Sequence, residues 1–153
     1  MKNQLYLSLG SNLGDKEDNI EKAIQLLRER TGKVISRSAF FYSEPWGFVS
    51  DNNFVNICLH IETILAPDEI LYQTQLIEKE LGRTKKSLNG YADRIIDIDL
   101  LLYDQLIIQT DTLTIPHPLM HKRDFVMVPL SEIAGNLIHP TLQKSISELT
   151  KLL

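Results

Sequence analysis

The spacing of apolar residues changes several times along this chain, and each change predicts a different secondary-structure element. Apolar side chains at every second position predict a strand, whereas apolar side chains three and four positions apart predict a helix. End signals support two helices: Asp15 is a suitable N-cap, and Pro67 begins a segment that Gly82 ends. The pattern predicts, in chain order, a strand at 5–9, a helix after Asp15, strands at 34–42 and 54–62, a helix at 67–81 and a strand at 95–102.

This order of strand, helix, strand, strand, helix and strand is that of the ferredoxin-like split βαβ fold. We therefore predict an α+β protein with an antiparallel sheet, two helices packed on one face, and the strand at 95–102 in the sheet interior. Loops near Trp46 and Lys86 are expected to cover the other face. A C-terminal hairpin at 106–115 and short helices follow, and Pro129 is expected to limit any single helix there.

Composition narrows the class of protein. At 153 residues, 43% of them hydrophobic, the chain suits one domain, 1–153, with a substantial core. A formal charge of −4 argues against general binding to nucleic acids or membrane surfaces, which attract cationic proteins. The single cysteine, Cys58, excludes a disulfide framework within the chain and fits a reducing, cytoplasmic setting. No segment approaches the length of a membrane span, and we expect a soluble monomer.

The last predicted strand contains two aspartates among apolar residues. Asp97 and Asp99 are two positions apart and share one face, roughly 6 to 7 Å apart at about 3.3 Å per residue. Two carboxylates on a mostly apolar strand repel each other unless a cation lies between them. A solvated edge strand is the alternative, but Ile95 and Leu101 would make the same face apolar. We therefore predict a divalent metal such as Mg²⁺, with phosphate oxygens and waters completing its shell.

The segment before this strand is basic and contains glycine. It runs from Arg83 through Lys85 and Lys86 to Arg94. Cationic side chains beside paired carboxylates are typical of phosphate handling, because Arg and Lys neutralise phosphate oxygens while a metal on the acids bridges them. A lysine-containing loop is more often only solvated, so this interpretation depends on the neighbouring acids.

Three other segments carry candidate ligand contacts. Phe54 and Asn56, at the start of an alternating strand, could stack on and hydrogen-bond a flat heterocycle. Gln75 and Glu78 are three positions apart and share a helical face, for which simple solvation is the alternative. The glycine-bounded turn at 10–15 opens a helix N-terminus and could receive an anion, although such turns are usually only turns.

Several of these motifs occur together in the order found in one enzyme family. From Leu5 to about Ile133 the chain resembles 6-hydroxymethyl-7,8-dihydropterin pyrophosphokinases of folate biosynthesis. The resemblance implies transfer of the pyrophosphoryl group of ATP to the hydroxymethyl group of the pterin, with release of AMP. The motifs that carry it are Gly10-Ser11-Asn12-Leu13, Phe54-Val55-Asn56, Gly82-Arg83, Arg94-Ile95-Ile96-Asp97-Ile98-Asp99 and Ile115-Pro116-His117.

The resemblance also implies roles for individual residues. Asp97 and Asp99 would hold two Mg²⁺ ions on the phosphates of ATP, with Arg83 and Arg94 as catalytic phosphate contacts. The nucleotide side would comprise Gln75, Glu78, Arg83, Lys85, Arg94, Leu100 and His117. The pterin side would comprise Phe54 and Phe125 on the two ring faces, Asn56 at the edge, Gly10, Ser43, Glu44 and Trp46 as backbone and loop contacts, and Arg123 as a mobile basic residue. Lys85 stands where many members carry a second arginine, which predicts a weaker hold on the triphosphate or a different closure of the loop.

Two alternatives come from other classes of protein. A nucleotidyl cyclase or polymerase-like domain also places acids on ferredoxin-like strands around two metals, but it takes those acids from separate strands. A small-molecule sensor or subunit-interaction domain would explain the sheet but not Asp97, Asp99 and Arg94 together. The motifs, rather than the fold, favour the pyrophosphokinase.

Overall fold

The computed structural model describes residues 2–44, 53–82 and 95–153. In chain order its elements are β1 (Asn3–Ser11), α1 (Lys16–Arg30), β2 (Gly32–Arg37), β3 (Phe41–Ser43), β4 (Phe54–Thr63), α2 (Pro67–Glu80), β5 (Asp97–Tyr103), β6 (Ile108–Gln109), β7 (Thr114–Ile115), a 3₁₀ turn (Met120–Lys122), α3 (Asp124–Ala134) and α4 (Ile146–Lys151). The main sheet has the order β2-β4-β1-β5, with β3 also paired to β4, and these pairings are antiparallel. The predicted α+β class with an antiparallel sheet is confirmed.

Strands β1 and β4 form the centre of the sheet. Leu5, Leu7 and Leu9 of β1 are fully buried, because alternate side chains point to the face that α1 and α2 cover. In this fold the two helices close the larger of two apolar clusters, and that cluster also includes Ile98 and Leu100 of β5. The alternation in the sequence therefore identifies which face of each strand lies inside.

Helix α1 begins where the sequence indicates and passes directly into β2. The Asp15 carboxylate accepts a hydrogen bond from the Asp18 N–H at 3.2 Å, as an N-cap does. At the other end, Gly32 lies so close to β4 that a Cβ atom on it would be 2.1 Å from the Glu62 carbonyl oxygen. A glycine is required at this position by the approach of two backbones.

Strand β5 lies at an edge of the sheet and not in its interior, which corrects the prediction. Within the described part of the chain β5 pairs with β1 alone and is the last strand in the order of the sheet. Side chains and a following segment cover its outer edge instead. The His117 N–H donates to the Leu101 carbonyl at 3.0 Å, and the Ile98 N–H donates to the Glu78 carboxylate at 2.7 Å.

The second face of the sheet is covered in part by α3 and α4. Tyr6, Cys58 and Leu101 pack there with apolar residues of both helices in a separate buried cluster. The loops near Trp46 and Lys86, which we expected on this face, lie outside the described residues. Among the described elements, α3 and α4 leave the end of the sheet nearest the start of β5 available for other contacts.

Two local predictions were wrong. The strand expected at 34–42 is divided into β2 and β3. Ser38 between them remains attached to β4, because its N–H donates to the Cys58 carbonyl at 3.0 Å and its hydroxyl accepts from the Cys58 N–H at 2.9 Å.

The second wrong prediction concerns α3, which runs through Pro129. The missing N–H of Pro129 removes one hydrogen bond, that to the carbonyl of Phe125, but Pro129 is buried and the helix continues. No helix in the described ranges is long and apolar enough to cross a bilayer.

We expect Gly32→Ala to lower the free energy of unfolding by about 1–3 kcal/mol, because the new Cβ atom would displace the backbone of β4. Urea unfolding followed by circular dichroism measures this change. Lys33→Ala, at the next and exposed position, is the matched control and should stay within about 0.5 kcal/mol of the wild type. Equal stability of Gly32→Ala and wild type would contradict the close approach.

Candidate active site

The candidate site lies on the face that α3 partly covers, near one end of the three adjacent strands β4, β1 and β5. Gly10 of β1 lies opposite Asn56 on β4 and opposite Asp97 on β5. In the next row, Ser8 lies opposite Asp99. Directly opposed residues of antiparallel strands point to the same face. The register therefore places the two acids and the Asn56 amide on one surface, with a glycine between them.

Gly10 leaves room beside Asn56. A Cβ atom on Gly10 would lie 2.6 Å from the Asn56 Nδ2 and 3.7 Å from Cδ1 of Phe54. Asn56 is 5% exposed, and its Oδ1 has no hydrogen-bond partner within the described ranges. The buried hydroxyl of Ser43, the residue that pairs with Phe54, is in the same condition. Buried polar atoms without partners next to an aromatic ring are suited to a flat ligand that carries its own donors and acceptors.

Asp97 and Asp99 lie at the boundary between core and solvent. Both are partly exposed, whereas Ile98 between them is buried, as the alternation of a strand requires. The Asp99 side chain is 30% exposed, and Nη1 of Arg123 lies 3.8 Å from its Oδ2. The acids therefore combine access from outside with a cationic neighbour inside.

The donor set of the acid pair fits Mg²⁺. Carboxylate oxygens are hard ligands, and Mg²⁺ prefers one or two of them together with water and phosphate oxygens. Among the residues that the structure describes, no group of three or more His, Cys, Asp or Glu side chains could hold a metal by itself. Asp97 and Asp99 would therefore supply part of an octahedral shell, and a substrate would supply more.

Glu78 lies behind the acid strand and not on a ligand-facing surface. It is 6% exposed, and its Oε2 accepts a hydrogen bond from the Ile98 N–H at 2.7 Å. Gln75, three positions earlier, is exposed. The two side chains therefore differ in burial, because the helix turns Glu78 towards β5, and their role as nucleotide contacts stays a prediction.

His117 is a neutral hydrogen-bond donor beside the acid strand. Its Nδ1 accepts from the Leu119 N–H at 3.2 Å, so Nε2 carries the proton of the neutral ring. The pKa of His117 is lowered from 6.5 to about 4, mainly by burial and also by the Arg123 cation, while Asp97 acts in the opposite direction. Near neutral pH the ring can therefore donate one hydrogen bond without adding a charge.

Arg123 and Phe125 stand at the start of α3, where the helix approaches the site. Arg123 is 7% exposed, and its guanidinium carbon lies 5.6 Å from the centre of the Phe125 ring. Such a distance permits a cation–π contact. The cation that lies near Asp99 is thus also positioned by an aromatic ring.

His117 also lines a cavity of about 170 Å³. Its lining includes Thr114, Ile115, Pro118, His121 and His139. The mixture of aliphatic and imidazole groups suits an uncharged, partly aromatic molecule or part of one.

The remaining predicted residues have different outcomes. Arg83, Lys85, Arg94 and Trp46 lie outside the described residues. Glu44 is exposed, whereas Leu100 is 5% exposed and belongs to the core cluster under α1 and α2, so its side chain packs inside the protein.

The turn at 10–15 and the position of Gly10 also differ from the sequence interpretation. The Asn19 side chain occupies the turn by donating to the Leu13 carbonyl at 2.9 Å and to the Ser11 hydroxyl at 3.3 Å. Gly10 does not begin the turn, because β1 continues to Ser11. A glycine inside an otherwise alternating strand is a recognised sign of a close approach, and that signal could have located the space beside Asn56.

The family model and the similar proteins described below all point to the same enzyme family. The model of the family described as 7,8-dihydro-6-hydroxymethylpterin-pyrophosphokinase (HPPK) matches residues 6–135. The 2-amino-4-hydroxy-6-hydroxymethyldihydropteridine pyrophosphokinase of Porphyromonas gingivalis is 48% identical over 138 residues, which cover 89% of this chain and 93% of that protein. The protein of the same description from Aquifex aeolicus is 43% identical over 144 residues, which cover 94% of this chain and 88% of that one.

Solved structures show the same fold at low sequence identity. The Plasmodium falciparum HPPK-DHPS wild type with SDX-DHP has a TM-score of 0.79 and 16% identity to this chain. The match covers 99% of this chain but only 44% of that one, so the present chain spans less than half of the solved protein.

The low pKa of His117 predicts that stability falls as the pH is lowered. Between its ordinary pKa of 6.5 and about 4, the unfolded chain binds a proton that the folded protein does not, so acid favours unfolding. Burial lowers the pKa values of His60 and His139 as well, and they act in the same direction. Urea unfolding between about pH 7 and pH 4.5 should therefore show a smaller loss of stability in His117→Asn than in the wild type. Parallel pH profiles would contradict the burial of His117.

Proposed function

Because the chain belongs to the 7,8-dihydro-6-hydroxymethylpterin-pyrophosphokinase family, we propose that it transfers pyrophosphate from ATP to 6-hydroxymethyl-7,8-dihydropterin in folate biosynthesis. The hydroxymethyl oxygen of the pterin forms a bond to the β phosphorus of ATP. The bond from that phosphorus to the oxygen bridging the α and β phosphates breaks, AMP leaves with that oxygen, and the hydroxyl proton is lost. The observation that carries this proposal is the row of Asn56, Gly10 and Asp97, which joins a heterocycle contact to a phosphate-side acid.

The pterin is proposed to lie over Gly10. Its ring would stack on Phe54 and on Phe125 at the start of α3, and its polar edge would meet the Asn56 amide and the Ser43 hydroxyl. The unpartnered Asn56 Oδ1 and Ser43 Oγ support this placement, because a pterin edge offers the donors and acceptors that these atoms lack. The low exposure of Asn56 adds to the strength of such bonds, since water does not compete.

The triphosphate is proposed to lie along the exposed side of the acid strand. Asp97 and Asp99 would hold Mg²⁺, two ions in our proposal, and the metal would neutralise phosphate charge and orient the oxygens. Arg123 provides a nearly buried cation beside Asp99, and the neutral His117 offers Nε2–H. Arg83, Lys85 and Arg94 are proposed as further phosphate contacts on the strength of the motif match alone.

The nucleoside part of ATP is proposed to occupy the cavity next to His117. His117 lines this cavity and interacts electrostatically with Asp97, so a nucleotide there would extend its phosphates towards the acids. Gln75 remains a candidate contact because it is exposed.

We also propose that the chain acts as a cytoplasmic monomer; the size of the assembly in solution is the direct test.

We expect Asp97→Asn to reduce AMP release from ATP and the reduced hydroxymethylpterin by on the order of 10³-fold, because an amide does not provide the charge that holds the metal. Asp111→Asn, which removes an exposed carboxylate in the turn between β6 and β7, is the matched control and should keep full turnover. Circular dichroism establishes that each variant is folded.

Two outcomes of this assay contradict different parts of the proposal. Absence of AMP formation by the folded native protein would overturn the reaction itself. Full turnover by Asp97→Asn would overturn the metal role of Asp97 and leave the reaction in place.

We expect Gly10→Ala to raise the KM for the pterin by about tenfold, since the new methyl group would push the Asn56 amide out of its position. The KM for ATP serves as the internal control and should change less than about twofold. An equal rise in both KM values would contradict the proposal that this position contacts the pterin and not ATP.

A further inference from the structure

We propose that Glu78 is a positioning residue for the acid strand: its buried carboxylate holds the peptide between Asp97 and Asp99 and thereby sets the affinity of that pair for a divalent metal. This inference rests on the proposed metal role of the two acids and adds a residue on a different element. Glu78 belongs to α2, which packs against the opposite side of β5 from the candidate site.

The hydrogen bond from Ile98 to Glu78 acts at the centre of the acid pair. Ile98 is the residue between Asp97 and Asp99, and its N–H donates to Oε2 of Glu78 at 2.7 Å. A hydrogen bond to a carboxylate is about twice as strong as a neutral one. Fixing this single peptide restricts the backbone on both sides, and so restricts the directions of the two side chains that must meet one ion.

The position of β5 at the sheet edge explains why such a bond is needed. The strand pairs with β1 on one side only in the part of the chain that is described, and the Ile98 N–H is satisfied by a side chain from a helix instead of by a neighbouring strand. An edge peptide without a partner would be free to twist or to bind water. Glu78 therefore replaces the missing strand at the point where the geometry of the acids matters most.

Glu78 lies on the buried side of α2, where an apolar side chain could pack but could not accept a hydrogen bond. Its helical neighbours Ile70, Thr74 and Ile77 are buried. The reach of a glutamate from α2 to Ile98 is what an apolar residue cannot supply. Outer groups that orient metal ligands have the same character: they contact the ligand-bearing segment and not the ion.

Two conservative substitutions separate reach from charge. Glu78→Gln keeps an oxygen at the same distance from Ile98 but removes the charge, whereas Glu78→Asp keeps the charge but is one methylene shorter. We expect Glu78→Asp to weaken Mn²⁺ binding about tenfold or more and Glu78→Gln to stay within about threefold of the wild type. Mn²⁺ affinity is measured by electron paramagnetic resonance in the presence of α,β-methylene-ATP, so no turnover is required.

Glu80→Asp is the matched control. It shortens an exposed acid of the same helix, which pairs with Arg30, and should leave Mn²⁺ affinity unchanged. Thermal unfolding of each variant separates a folding defect from a change in affinity. Unchanged affinity in Glu78→Asp, or a larger loss in Glu78→Gln than in Glu78→Asp, would overturn the positioning role.

The same experiment distinguishes this inference from the proposed function. If the variants differ in Mn²⁺ affinity as predicted but the wild type forms no AMP, the role of Glu78 stands and the proposed reaction is refuted. If the wild type forms AMP but Glu78→Asp binds Mn²⁺ as the wild type does, the reaction stands and the role of Glu78 is refuted.

Discussion

The pairing of β1 with both β4 and β5 is the constraint on which the site depends. A shift of one residue in either register would turn the side chains of one strand to the opposite face and separate Asn56 from Asp97. The buried leucines of β1 prevent such a shift, because the same alternation that places them under the helices places Ser8 and Gly10 on the site face. Packing on one face of the sheet therefore determines chemistry on the other.

Among the described residues of the site, one cation is nearly buried and one imidazole is kept neutral. Arg123 is nearly buried beside Asp99, and His117 is kept uncharged by burial and by that same arginine. A site that must accept a polyphosphate gains from this arrangement, because partly desolvated dipoles and cations interact with phosphate more strongly than solvated ones do.

Much of the fold could be predicted because its elements obey simple periodicity, and the misses have local causes. The division of 34–42 into two strands follows from side-chain bonds of Ser38 to β4, which no pattern of apolar residues reveals. Pro129 remains in a helix because tertiary burial offsets one lost hydrogen bond. Asp97 and Asp99 could be found because acids are out of place in an apolar strand, whereas spacing alone could not show that Glu78 faces inward while Gln75 faces outward.

The edge position of β5 has a consequence for how the protein behaves at high concentration. Exposed strand edges are templates on which other chains can add a strand and aggregate. Here the outer edge carries the Glu78 carboxylate at Ile98 and the backbone of His117 at Leu101, so two of its hydrogen-bonding groups are already occupied by the protein's own atoms. These two contacts therefore also protect the outer edge of β5 from association with another copy.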